Sequence, residues 1–319
     1  MRPSYLIAYW SAVLSNDQHR KFCLVVNPFG GKQQGLAILE SVKPIFDAAS
    51  IDLEVIRTTR PRHAYDVANT KSFSDLEGMI VIGGDGTIHE VINGMLNRSD
   101  NKTFPLGLIP GGSGNSFLTD LEVLDPRKAT EAIVSGRRRL IDVAKVSLSD
   151  QILYAFNIIG WGLVADVNVR AEKYRWMGPI RYTVASLVEL IRAKTRAGTL
   201  RFDDREIKGE FCFVLACNTI HTGKQMKMAP RATLDDGLID LVVVKHGPGL
   251  FKMLSLFSKL YDGNYINDPA VEYHQVKSFV LNPEIAGPLN VDGELLGTTP
   301  AEVVVKPAAF EVYCNTGAQ

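Results

Sequence analysis

The stretch Met79-Ile80-Val81-Ile82-Gly83-Gly84-Asp85-Gly86-Thr87-Ile88-His89-Glu90 decides the fold. Four consecutive apolar residues read as a strand buried on both faces, the kind a parallel sheet contains. Glycines end it, and Val91, Ile92, Met95 and Leu96 then recur at helical spacing. Thr87 and Glu90 have the spacing of a capping box at the start of that helix. A strand that turns through glycines into a helix brings backbone N–H groups and a positive dipole end to one point. Such a point suits a phosphate.

Working outward, the same grammar occurs twice more. An apolar run at 22–27 leads into Asn27-Pro28-Phe29-Gly30-Gly31, and one at 106–109 leads into Pro110-Gly111-Gly112-Ser113-Gly114-Asn115. Helical spacing at 36–46, 63–69 and 125–135 and a strand at 53–58 fill the intervals. Strands alternating with helices predict a parallel sheet covered on both faces. Three glycine loops at successive strand ends point to a nucleotide or a phosphorylated ligand.

Near Asp142 the pattern changes. Segments 142–146, 152–159, 211–218, 238–245, 278–281 and 301–305 are strand-like, with turn signals at Asp236-Gly237, Asn282-Pro283 and Asp292-Gly293. Helical stretches at 180–194 and 250–260 interrupt them. The expected architecture is α/β: an extension at 1–19, a parallel-sheet nucleotide-binding domain at 20–141, and a β-rich, sandwich-like domain at 142–319. The C-terminal segment is expected to return to the first domain, with the active site in the cleft between the two.

A hydrophobic fraction of 46% over 319 residues supports a folded core of that size. Lys plus Arg and Asp plus Glu both number 35, so the overall charge makes no case for nucleic acid. The four cysteines lack metal-ligand spacing, and three of them sit in strand-like runs. They read as buried thiols of a reducing, cytoplasmic compartment. No segment reaches the roughly 20 apolar residues that span a bilayer. The run Arg137-Arg138-Arg139 reads as a helix end with a solvated face. Nothing in the sequence specifies an oligomeric state.

Several familiar motifs fail on spacing. Gly30-Gly31-Lys32 lacks the full P-loop, and Asn93 stands where a zinc protease helix would need its second histidine. Gly112-Ser113-Gly114 is not a hydrolase nucleophile elbow.

The three loops together resemble the catalytic domain shared by diacylglycerol, ceramide and sphingosine kinases. The similarity extends through Ala229-Pro230, Asp235-Asp236-Gly237 and Val291-Asp292-Gly293-Glu294 and covers most of 20–315. Within that superfamily, Gly160-Trp161-Gly162-Leu163-Val164-Ala165-Asp166-Val167, Glu172-Lys173-Tyr174-Arg175 and Gly178-Pro179-Ile180-Arg181-Tyr182-Thr183 look like the sphingosine kinases. Asn168 departs from the pattern of the animal sphingosine kinases, which have an aspartate near the polar head of the lipid. An amide there can hydrogen-bond a hydroxyl or amine but supplies no charge.

The resemblance implies ATP and Mg²⁺ as cofactors and a lipid substrate with a long acyl or alkyl chain. Asp85 would orient and deprotonate the acceptor hydroxyl; its other reading is an Asx turn or helix cap. Gly84, Gly86, Thr87, Gly111, Gly112, Ser113, Gly114 and Asn115 would hold the nucleotide phosphates, with Asn27 and Thr58 at neighbouring strand ends. Arg175 and Arg181 would reach phosphate oxygens, or else belong to a solvated basic flank. Asp292, Gly293 and Glu294 would return to the cleft, with Asp292 holding water around the metal, although Asp-Gly is also a strong hairpin signal.

Leu163, Val164, Asp166 and Asn168 would face the lipid, and 184–191 would form an amphipathic cover. The implied activity is phosphorylation of the primary hydroxyl of a sphingoid base, by a cytoplasmic protein that touches membranes reversibly. Tyr9, Trp10 and the cover around Leu187–Ile191 are the candidate membrane contacts. A diacylglycerol or ceramide kinase is the alternative acceptor reading, and a nucleotide- or lipid-binding sensor the non-enzymatic one.

Overall fold

The computed structural model describes residues 20–315, apart from Lys32, Ser113, Ala193 and residues 246–248. The expected extension with Tyr9 and Trp10, and the loop residue Ser113, lie outside the described residues.

Strands β1 (Arg20–Val26), β2 (Ile51–Arg57), β3 (Gly78–Gly83) and β4 (Leu106–Pro110) form a parallel sheet in the order β2-β1-β3-β4. Every residue of β3 is buried, as its unbroken apolar run requires. Around the sheet lie α1 (Gly35–Ala48), α2 (His63–Thr70), α3 (Asp85–Leu96), α4 (Ser116–Asp120) and α5 (Pro126–Ser135). Asp125 caps α5 by accepting from Arg127 N–H at 2.9 Å and Lys128 N–H at 3.0 Å.

The second half contributes β5 (Arg138–Ser147), β6 (Ile152–Ala155), β7 (Ile158–Gly162), β8 (Arg196–Phe202), β9 (Arg205–Cys217), β10 (His221–Thr222), β11 (Met226–Lys227), β12 (Ile239–Lys245), β13 (Glu272–Val276), β14 (Ser278–Pro283), β15 (Pro288–Val291), β16 (Glu294–Thr298) and β17 (Ala301–Tyr313). Its helices are α6 (Leu163–Lys173), α7 (Arg181–Arg192) and α8 (Leu250–Ser258). Trp161, Phe211, Leu241, Phe279 and Val303 fill the core of this β-rich half. On its opposite face Phe213, Val242 and Val244 pack under Leu163, Leu190, Met253 and Leu256 of the helices.

The two halves share hydrogen-bonded strands. β17 pairs antiparallel along β5 and parallel with β4, so the main sheet runs unbroken from β2 to β16. Phe310, Val312 and Tyr313 belong to the core of the first half.

Three local expectations change. The strand expected over 152–159 is broken into β6 and β7, because the N–H groups of Phe156, Asn157 and Ile158 leave the ladder to bind one carboxylate, that of Asp292. Thr87 and Glu90 make no capping box: α3 begins at Asp85, and Glu90 instead accepts from the N–H groups of Arg62 (2.8 Å) and Ala64 (3.1 Å) at the start of α2. Arg138 and Arg139 do not end a helix. They open β5 and are paired with Glu77, Glu311 and Asp235. The charge run hid a strand, because its partners are contributed by distant segments.

Candidate active site

Strand register alone assembles most of the site. Val26 lies opposite Arg57 and Ile82, and Gly83 lies opposite Pro110. Asn27, Thr58, Gly84 and Gly111 therefore share the carboxyl edge of the parallel sheet, where ligands bind in open α/β sheets. Asn27 Nδ2 donates to Thr87 Oγ1 at 3.1 Å, its Oδ1 accepts from Phe29 N–H at 2.9 Å, and Thr58 N–H donates to Val26 O at 2.9 Å. Asn27 is thus a brace between the first two loops.

The second and third loops are zipped together. Gly111 N–H donates to Gly83 O at 2.8 Å, and Asp85 N–H to Gly114 O at 3.2 Å. A Cβ on Gly84 would stand 2.9 Å from Gly112 Cα and 3.0 Å from Gly114 O. Here glycine permits loop-on-loop contact as much as room for an anion. Gly86 differs: a Cβ there meets only Glu294 Oε1, at 3.0 Å. That glycine opens on the cleft.

Asp85, the first residue of α3, spends one oxygen on the fold: Oδ2 accepts from Ser116 N–H at 3.0 Å. Its Oδ1 is buried and has no partner among the described residues. Burial raises its pKa above the ordinary carboxylate range, N–H donors from Ser116 and Phe117 oppose the shift, and the charge of Asp292 adds to it. Asn115 Oδ1 is likewise buried without a partner among the described residues, while its Nδ2 donates to Gly112 O at 3.2 Å. Two unsatisfied acceptors at one cleft mark where a ligand's donors would be taken.

The Asp292-Gly293 turn closes the site from the second half. Both residues have positive φ, 52° and 93°, as a two-residue hairpin turn demands, and Val291 pairs with Glu294 across it. Asp292 Oδ2 receives His89 Nδ1 at 2.8 Å and Phe156 N–H at 3.3 Å. Oδ1 receives the N–H groups of Asn157 at 2.8 Å and Ile158 at 3.1 Å. Four donors occupy the lone-pair sites of this buried carboxylate, so its geometry is that of a tie between halves and leaves none aimed at a cation. Among the described residues no group of three or more His, Cys, Asp or Glu side chains is gathered to hold a metal.

Burial opposes a charge on His89, but the hydrogen bond and charge of Asp292 prevail and its pKa is raised. His89 and Asn93 carry no motif. Their partners lie 203 and 61 positions away, so no local signal reveals them.

Of the expected lipid-facing residues, Asn168 reaches this turn: its Nδ2 donates to Gly293 O at 2.7 Å. Asp166 is instead held by Arg196, at 2.7 and 2.8 Å. Leu163 is packed in the core beneath the helices, and Val164 lies against the same cluster. Arg175 is exposed and paired with Glu172 at 2.7 Å, and Arg181 lies over the Tyr182 ring at 4.9 Å. Among the described residues neither arginine bonds to a glycine loop. Asp236 Oδ1 accepts from Leu238 N–H at 3.0 Å and so belongs to turn chemistry. A further tie, also silent in the sequence, joins Asp120 of α4 to the ring and N–H of His221 and to Ile220 N–H.

Glycine loops at the carboxyl edge of a parallel sheet, a buried carboxylate with one oxygen unpartnered among the described residues and a β-rich half closing over it form the cleft. Residues 21–146 match the diacylglycerol kinase catalytic domain, and residues 157–314 match the YegS C-terminal NAD kinase beta sandwich-like domain. Sphingosine kinase 1 of Arabidopsis thaliana is 33% identical over 89% of this chain and 70% of its own length. A diacylglycerol kinase of Bacillus subtilis is 28% identical, over 88% of this chain and 92% of its own. The crystal structure of a diacylglycerol kinase from Bacillus anthracis superposes with a TM-score of 0.75 at 25% identity, covering 93% of this chain and 97% of that one. The chain belongs to the diacylglycerol and sphingosine kinase superfamily and is an ATP-dependent lipid kinase of that type. The non-enzymatic sensor reading is set aside.

Proposed function

We propose that the chain transfers the γ-phosphate of ATP to the primary hydroxyl of a long-chain sphingoid base, with Asp85 as general base. The observation that carries the base assignment is the buried, unpartnered Asp85 Oδ1 at the meeting of two glycine loops and the Glu294 turn. A raised pKa suits that role, since a base is most effective when its pKa approaches the working pH. Asp85 takes the hydroxyl proton as the new O–P bond forms, and ADP departs with the electrons of the broken bond. The N–H groups around Gly84, Gly86, Gly112 and Gly114 suit the phosphate oxygens, Gly111 N–H being held by Gly83 O, and Asn115, Asn27 and Thr58 line the same edge. Mg²⁺ would neutralise phosphate charge. Glu294, whose carboxylate lies beside Gly86, would accept from the metal's waters, whereas the Asp292 oxygens are taken up by four donors.

The sphingoid acceptor is supported by the likeness of 160–183 to the sphingosine kinases. A diacylglycerol acceptor is favoured by one observation, the engagement of the uncharged Asn168 with Gly293 O. Purified protein, labelled ATP and a panel of sphingosine, dihydrosphingosine, diacylglycerol and ceramide in micelles separate the two. Labelling of diacylglycerol with none of either sphingoid base overturns the proposal.

Reversible membrane contact fits the outer face of the second half. Leu187 and Ile191 of α7 stand exposed beside Leu250, Leu254 and Phe251 of α8, the last 89% exposed. No helix among the described residues is long and apolar enough to cross a bilayer. Such a face suits shallow insertion into a lipid surface. Vesicle sedimentation tests it, with Phe251→Ser expected to weaken retention.

A further inference from the structure

An open cavity of about 340 Å³ lies where the β8–β9 hairpin meets β13, within the β-rich half. Arg205 and Arg231 flank it, and neither guanidinium has an ion pair or hydrogen bond among the described residues. Their neighbours on these strands are otherwise matched: Arg201 and Lys208 share Glu206, and Lys245 pairs with Glu272. The Arg231 guanidinium is steadied 5.4 Å over the Tyr273 ring. His274 leans on Phe202 with ring centroids 4.7 Å apart, and its Nε2 is buried without a hydrogen bond, 3.5 Å from Glu272 Oε2. Asp203, at the hairpin tip, is the one carboxylate in the lining, and Gln275 completes it. Two guanidiniums meet one carboxylate in the lining; behind it Asp240 is bonded to Tyr273 and shares its charge with Arg231, and Glu272 is already paired with Lys245.

We infer that this cavity is a second anion site, which takes a phosphomonoester carried on a small organic group. Arg205 and Arg231 offer planar donor forks that match phosphate oxygens, while His274 Nε2 faces Glu272 and borders the site as a ring wall. The depression is open to solvent, so a substituent on the phosphate can extend out of it. The source is either a water-soluble phosphate ester or the head group of a phosphorylated lipid. The inference stands apart from the acceptor assignment, since none of these residues belongs to the nucleotide cleft.

Calorimetric titration of the full chain without nucleotide tests it, read as the binding event that differs between wild type and the variants below. Inorganic phosphate, glycerol 3-phosphate and dihexanoyl phosphatidate are the probes. One such event per chain is expected, weakened about tenfold or more in Arg205→Ala/Arg231→Ala and strengthened in Asp203→Asn. Tighter binding of the phosphatidate assigns the lipid source, and equal or tighter binding of glycerol 3-phosphate the soluble one. Absence of binding by all three probes, or unchanged affinity in the double variant, overturns the site. Should that variant fail to fold, the His274 side-chain nitrogen resonance in the wild type decides: it must move on titration, and an unmoved signal sinks the inference.

Discussion

Asn93 and Tyr154 exchange two hydrogen bonds across the junction of the halves: Asn93 Nδ2 donates to Tyr154 O at 2.9 Å, and Tyr154 N–H donates to Asn93 Oδ1 at 2.9 Å. One side chain of α3 thus completes the backbone of β6, four residues past the His89 that binds Asp292. Asn93→Leu keeps the volume and leaves both Tyr154 backbone groups unpaired in a buried place. A loss of roughly 2–5 kcal/mol is expected in urea unfolding. A variant within 0.5 kcal/mol of wild type would remove the tie from the account of stability.

Asp85→Asn should retain ATP binding and lower kcat by about 10²–10⁴. In the wild type the active form is the carboxylate, and burial raises its pKa. The acid limb of kcat/KM should therefore fall away as pH drops through a value above the ordinary carboxylate range of about 4. Equal turnover in the variant, or an acid limb at or below that range, contradicts the assignment.

Gly84 and Gly86 should respond in opposite senses. Gly84→Ala drives a methyl against Gly112 Cα and Gly114 O, both backbone atoms, and should cost stability and nucleotide affinity together. Gly86→Ala lies in the first turn of α3 and displaces only the flexible end of Glu294. It should preserve or raise stability, by up to about 1 kcal/mol, while lowering turnover. Paired melting and activity measurements check this; an active Gly84→Ala protein of wild-type stability would refute the packing argument.

Asn168→Asp removes the donor to Gly293 O and sets a carboxylate beside a carbonyl oxygen. The new side chain should turn toward the substrate and favour acceptors that carry an ammonium. The ratio of kcat/KM for sphingosine over diacylglycerol should rise by roughly tenfold, the scale of one charge-assisted hydrogen bond. An unchanged ratio would place Asn168 outside the acceptor pocket.

Asp240 offers a stability test. It is buried and accepts from Tyr273 Oη, yet desolvation raises its pKa to about 6. A folded-state pKa above the unfolded one, about 3.9, means that the folded form binds the proton more tightly. The ionised group therefore costs stability above pH 6, and that cost disappears as pH falls toward 4. Asp240→Asn should be more stable than wild type at pH 8, by an amount that shrinks through this window. Denaturant titrations at pH 5 and pH 8 with equal differences would show the shift to be absent.

Much of the nucleotide half was legible because its signals are local. The apolar run at 79–82, the glycines after it and the helical recurrence of Val91, Ile92 and Met95 need no distant partner to be read. Strand β8 was not legible, since Arg196-Ala197-Gly198 carries little strand signal and is held only by its place between β9 and β14. The break between β6 and β7 was equally hidden, because its cause is a carboxylate 134–136 positions away.

The sequence by itself determined the parallel sheet, the three loops at its edge and the presence of Asp85 among them. These follow from side-chain periodicity and from the backbone freedom of glycine, both properties of short stretches. The tertiary structure alone decided how the candidates divide their work. It left Asp85 Oδ1 free, consumed both oxygens of Asp292, bound Asp166 to Arg196 and turned Arg175 toward Glu172. A carboxylate's role depends on which donors reach it, and in the case of Asp292 the donors come from segments that the chain brings together only when β17 and the 292–293 turn close on the first sheet.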